Sequence, residues 1–243
     1  MREKITWWDI IGLIADIQTS FTENYKKLIG KYKWSVPDAR ALVLINCMEL
    51  SANARLSMGM IGYTTSNGMD TKDWWEKWCG YSPHSFNGIP NFKVHVDDKC
   101  RQYSHRIQEQ LMITTYVYIE SFLRNLARQF EINEKELWKI KEALLQNILL
   151  FSKDDLKPLV IYQYLRNSQH NKGIHYNEKY PNMEFDLNGY KFIFKHNTIV
   201  MISWDHIKEL LIANSELLYK IIDNPKVSTL RKFDERNIVI LRD

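Results

Sequence analysis

At 243 residues, with 45% hydrophobic and 13% aromatic side chains, the chain is long enough for one large domain with an ample core, and its composition excludes an intrinsically disordered polymer. A net charge of +4 permits contact with a polyanion but falls short of the basic balance of a dedicated nucleic-acid binder. Three cysteines, Cys47, Cys79 and Cys100, argue against a disulfide framework, and the most apolar run, residues 41–50, contains Asn46 and is too short to span a bilayer. With no leader-like pattern of charge, apolar run and small-residue cleavage site, these features predict a soluble, cytoplasmic protein without membrane contact.

The chain divides into a helical hairpin over residues 1–62, an irregular connection over 63–100, a helical bundle over 101–225 and a charged tail over 226–243. Residues 4–33 form the first predicted helix, because Ile10, Ile14, Ile17, Phe21, Tyr25 and Leu28 step by three and four along one stripe. Its basic, aromatic end suits a phosphate backbone, and equally serves as an ordinary complement to the helix dipole. Ser35, Pro37 and Asp38 make a helix start, and the second helix runs to about Met60 and packs antiparallel on the first.

Glycines and prolines then break the periodicity up to about Lys99. This stretch carries Cys79 and His84, followed by His95 and Cys100. Two Cys and two His are ligands that zinc prefers, but the spacing matches no common zinc module. Scattered side chains in an irregular loop are the simpler reading, so no metal site is assigned.

A third long helix is predicted over 101–131, with Ile107, Leu111, Tyr118, Phe122 and Leu126 in register and Glu120 and Arg124 four apart. Asn133 and Glu136 have the spacing of a capping box for a helix to about Leu150. Ser152 to Asp155 supplies the next cap, Pro158 falls in the first turn, and Gly173 closes that helix. The period then changes to two. Residues 183–187 alternate, Asn188-Gly189 is a hairpin turn, residues 190–194 alternate again, and residues 198–202 complete an antiparallel β meander over 182–202. Ser203 caps a last helix to about Asp223, ended by Pro225, and residues 238–241 are a candidate edge strand in the tail. The expected fold is therefore mainly α: an antiparallel helical bundle with a small meander before its last helix.

The helix before Gly173 holds the one stretch where a guanidinium, an amide and an imidazole sit at helical spacing. Arg166 and His170 are four apart, and Asn167 and Asn171 form a second such pair. A phosphodiester suits this set, since guanidinium holds two phosphate oxygens and imidazole moves a proton near neutral pH. The same residues also read as a plain helix C-terminus, with Arg166 paired to a carboxylate and His170 and Asn171 acting as cap.

Arg166-Asn-Ser-Gln-His170 resembles the signature of the HEPN superfamily, small helical proteins of which many are metal-independent ribonucleases. The extension through Asn171 and Gly173 looks like a bacterial sub-branch with HEPN-like helices. Three residues separate Arg166 from His170, whereas four to six are usual in that family. The resemblance implies RNA as substrate, no cofactor, Arg166, His170 and Asn167 as catalytic residues, and a homodimer whose two Arg–His sets share a cleft. It further implies a toxin–antitoxin or phage-defence role with an antitoxin or defence-system protein as partner. Glu120 and Arg124 match the acidic–basic pair that some members place opposite the motif, and otherwise form a surface ion pair. Asn171, Glu120 and Arg124 are further expected substrate contacts, and His175 and Tyr176, in the linker, are best placed to line the site from that side. A catalytically silent module that binds RNA, a nucleotide or a protein is the competing reading. A purely structural subunit of a larger complex is the third.

Overall fold

The computed structural model describes residues 5–34, 38–66 and 92–231, with backbone alone at 92–95. Helix α1 spans Trp7–Tyr32, and Thr6 and Asp9 satisfy each other's backbone N–H groups in a capping box at its start. Its apolar stripe, Ile10, Ile14, Ile17, Phe21 and Leu28, is buried as its spacing requires. Helix α2, Ala39–Ser66, runs one and a half turns beyond the expected end at Met60. The proposed cap at Ser35 lies outside the described residues.

Helix α3, Phe92–Gln129, starts well before residue 101, so the end of the expected irregular connection is helical. It leaves its axis at Glu131, which takes a left-handed φ of 59°, while the Ile132 N–H donates back to the Ala127 carbonyl at 3.0 Å. Helix α4, Leu137–Ile140, then begins behind Glu136, with no side-chain cap, and widens into a π-helix over Lys141–Ile148. The capping box expected at Asn133 does not form. The reason is tertiary: Arg124 Nη1 donates to the Lys135 carbonyl at 2.5 Å, which holds that carbonyl on α3.

Helix α5, Lys157–His170, follows Leu156, and Pro158 sits in its first turn, where its missing N–H is harmless. Neither Asp154 nor Asp155 is its cap. Instead Ser152 and Asp155 exchange hydrogen bonds one turn earlier: Ser152 Oγ donates to Asp155 Oδ2 at 2.6 Å, and the Asp155 N–H donates to Ser152 Oγ at 3.1 Å.

The β region is two separate two-stranded pieces rather than one three-stranded meander. Strands β2, Asn182–Leu187, and β3, Tyr190–Lys195, form the expected hairpin, with Asn182 opposite Lys195 and Leu187 opposite Tyr190. Asn188 and Gly189, at φ 53° and 83°, make the tight turn. The third predicted strand is only β4, Thr198–Ile199, and it pairs with β1, Ile174–His175. Asn197 turns at φ 55°, and its N–H donates to the His175 carbonyl at 2.9 Å, which leads the chain onto β1 instead of β3. The later residues of the alternating run stay at the surface, with Met201 85% exposed.

Ser203 caps helix α6, Trp204–Asp223, as its sequence predicts, and its box partner is His206. Asn224 opens a final turn, α7, Pro225–Ser228. Helix α1 packs against α2 and α6, and α2 against α3. Asn24 meets Ser215 at 2.9 Å and Lys31 meets Asp223 at 2.6 Å, so α1 and α6 run in the same direction.

A buried cation joins these elements at one end. Arg40 is 2% exposed; its Nε and Nη2 donate to the two oxygens of Asp38 at 2.8 and 2.7 Å. Its Nη1 donates to the carbonyls of Val227, Ser228 and Leu230, and its guanidinium lies 4.3 Å from the Trp34 ring centre.

Removing one member of a buried ion pair strands the other. Arg40→Met is expected to cost about 3–5 kcal/mol, a fall of roughly 10 °C in Tm, read by circular dichroism. The Ser152 hydroxyl and N–H hold the Asp155 carboxyl below its ordinary pKa. That stabilisation is present above the unfolded carboxylate pKa and is lost as pH falls through the lower folded value. The Tm difference between wild type and Ser152→Ala is therefore expected to be constant near neutrality and to shrink below about pH 4, in melts run across the acid range.

Candidate functional site

Helix α5 turns Leu159, Ile161, Tyr162 and Leu165 inward, which leaves Asn167 and His170 exposed and Arg166 half-buried. Arg166 Nη1 lies 3.4 Å from Asn167 Oδ1, a long contact at best. His170 occupies the last helical position, and its imidazole makes no hydrogen bond to a described residue. The helix stops there. The Asn171 N–H donates to the Ser168 carbonyl at 2.9 Å, and the Gly173 N–H donates to the same oxygen at 2.8 Å. Lys172 and Gly173 both take left-handed φ, 56° and 82°, so the closure expected of Gly173 is shared between two residues.

Glu120 and Arg124 on α3 form the ion pair that their spacing predicts, with Arg124 Nε and Nη2 at 2.9 and 2.6 Å from one oxygen of Glu120. Tyr116, one turn earlier, is 2% exposed, and burial pushes its phenol pKa up. The negative charge of Glu120 adds to that shift, while Arg166 and Arg124 oppose it. One phenol thus feels all three charged groups, Glu120 and Arg124 from its own helix and Arg166 from α5. Tyr116 also meets Tyr162 edge to face at 5.2 Å, and the Tyr162 hydroxyl donates to the Met112 carbonyl. Sequence reasoning did not single out Tyr116. The available signal was its position four residues before Glu120.

The two linker residues separate. His175 is 3% exposed, its Nε2 lies 3.1 Å from the Tyr180 carbonyl, and its ring packs against Tyr164 and Phe194 at 5.7 and 5.5 Å. It faces aromatic rings rather than solvent. Tyr176 is 60% exposed and leans on His196 at 5.1 Å between ring centres. Tyr164 collects Phe185 and Phe194 of the hairpin as well, at 5.7 and 5.2 Å. This seats the hairpin directly against the motif helix.

Of the four candidate zinc ligands, Cys79, His84 and the side chain of His95 lie outside the described residues. Cys100 is buried at 4% in the core. Among the described residues no group of three or more His, Cys, Asp or Glu side chains is disposed to hold a metal ion. Cys47 is fully buried, and that burial pushes its thiol pKa up. No described helix is long and apolar enough to cross a membrane. Comparison with protein-family models, curated proteins and solved structures finds no match.

The two histidines have opposite expected sensitivities. His175→Ala is expected to destabilise the fold by about 2–4 kcal/mol, because it empties an aromatic pocket and leaves a carbonyl without its partner. His170→Ala, on the surface, is expected to stay within about 0.5 kcal/mol of wild type. Urea denaturation of both variants provides the measurement.

Proposed function

We propose that the chain is a metal-independent endoribonuclease of HEPN type. The observation that carries this reading is His170: a solvent-facing imidazole with no hydrogen bond to a described residue, one helical turn from a half-buried arginine. His175, by contrast, is buried and reaches the Tyr180 carbonyl.

In the reaction the 2′-oxygen of RNA attacks the adjacent phosphorus and loses its proton to an imidazole. The bond from phosphorus to the 5′-oxygen breaks, and that oxygen takes up a proton. The products are a 2′,3′-cyclic phosphate and a 5′-hydroxyl. One imidazole is base and a second is acid, so a two-fold dimer supplies His170 from each copy. Arg166 stabilises the negative charge on the phosphorane oxygens, and Asn167 orients the phosphate. Glu120 and Arg124 set the local charge beside Arg166, and Asn171 meets the strand beyond the scissile bond.

The dimer contact belongs on the β segments. Helix α6 is buried along two sides by its own molecule, whereas Ile193, Ile199 and Met201 are exposed apolar side chains on or beside the strands. A role as a toxin or phage-defence effector, restrained by a partner protein, accords with an RNase of this kind. The short Arg166–His170 spacing favours one second reading, a catalytically silent module that binds RNA, a nucleotide or a protein.

Purified protein is expected to cleave a mixed RNA substrate with EDTA present. His170→Ala and Arg166→Ala are each expected to lower the rate by at least about a hundredfold, with their circular dichroism unchanged. Absence of cleavage at every protein concentration would decide for the binding module.

A further inference from the structure

The linker after the motif helix exposes two large aromatic side chains, Tyr176 at 60% and Tyr180 at 46%. Exposed rings on a loosely held loop would carry little meaning, but this loop is pinned from three directions. Asn177 Oδ1 accepts from the N–H groups of Lys179 and Tyr180 at 3.1 and 2.9 Å, a local turn that fixes the loop's tip. The buried His175 ring reaches the Tyr180 carbonyl at 3.1 Å and is itself wedged between Tyr164 and Phe194. The β1–β4 pairing places Thr198 opposite His175, so His196 comes up behind the Tyr176 ring. The Tyr176 ring thereby rests against His196 at a tilt of 42° while most of it stays open to solvent.

The linker that carries the two rings has more lysine than carboxylate. Lys172, Lys179 and Lys195 form no ion pair with a described residue, and the Lys179 ammonium lies 5.4 Å from the centre of the Tyr180 ring. Glu178 is the one carboxylate within residues 170–180. Exposed aromatic rings on a fixed support, interleaved with lysines, form the surface that single-stranded nucleic acid uses. Bases stack on the rings regardless of sequence, and the lysines follow the phosphates. A duplex keeps its bases stacked on one another and has no free face to offer.

We infer that Tyr176, resting against His196 and accompanied in the same linker by Lys172 and Lys179, is a base-stacking platform for single-stranded RNA beside the motif helix. The inference rests on the endoribonuclease reading for its ligand, and it deepens that reading by selecting single strands over duplexes. His175 is a positioning residue for this platform, since it ties the loop to the core and touches no ligand.

The test is fluorescence anisotropy at low salt with a labelled short 2′-O-methyl oligouridine, which has no free 2′-hydroxyl and cannot be cleaved by the proposed chemistry. Tyr176→Ala is expected to raise Kd roughly tenfold, while Tyr176→Phe, which keeps the ring, stays within about twofold of wild type. Equal affinity of wild type and Tyr176→Ala overturns the platform. So does a Phe variant as weak as Ala, or no binding by wild type. The cleavage assay is independent of this outcome. Tyr176-dependent binding without cleavage overturns the nuclease reading alone, and His170-dependent cleavage with binding indifferent to Tyr176 overturns the platform alone.

Discussion

Arg40 enters the interior at the start of α2 with its guanidinium hidden, and the molecule supplies a partner to each of its nitrogens. An isolated charge at that depth is unaffordable, so the arrangement holds only if Asp38 and the α7 carbonyls are all in place. The consequence is mechanical. Trp34 covers the guanidinium and stacks on Tyr32 at 4.7 Å, and the Tyr32 hydroxyl donates to Asp223 at the end of α6. Lys31 adds its ammonium to the same carboxylate. The last turn of α1, the first of α2, the end of α6 and the whole of α7 therefore meet in one chain of contacts.

With that end tied, the β hairpin is held between two helices. Tyr164 of α5 takes Phe185 and Phe194 on one side. On the other, His206 of α6 packs its edge against Phe192 and Tyr190, and its Nε2 lies 3.3 Å from the Lys191 carbonyl. The same imidazole completes the Ser203 capping box through Nδ1, so one side chain starts a helix and seats a hairpin. The linker between the motif helix and the hairpin inherits this order. Its exposed tyrosines are on a fixed support, and its inward histidine is part of the support.

Much of the architecture was legible in local spacing. The stripe from Ile10 to Leu28, the Asn188-Gly189 turn with its alternating flanks and the Ser203 cap each depend on contacts within a few residues, so a short window of sequence contains the physics. The failures share a cause. Asn133 and Glu136 have capping-box spacing, yet Arg124 reaches across from α3 and holds the Lys135 carbonyl instead. Residues 198–202 alternate like a strand, yet after the turn at Asn197 only Thr198 and Ile199 pair, and they pair with β1. In both places a partner distant in sequence won over the local pattern.

The candidate site divides along the same line. The sequence by itself determined that Arg166, Asn167 and His170 share one helical segment, that the segment ends near Gly173, and that Glu120 and Arg124 pair, because helical geometry alone sets those relations. Only the tertiary structure decided that Arg166 of α5 acts on the same Tyr116 phenol as that pair, that His175 belongs to the core, and that Tyr176 faces solvent with His196 against it. Adjacent residues in an extended linker point opposite ways, and which one is buried depends on where Tyr164 and Phe194 stand. Those positions follow from the packing of α5 against the hairpin, which no local spacing encodes.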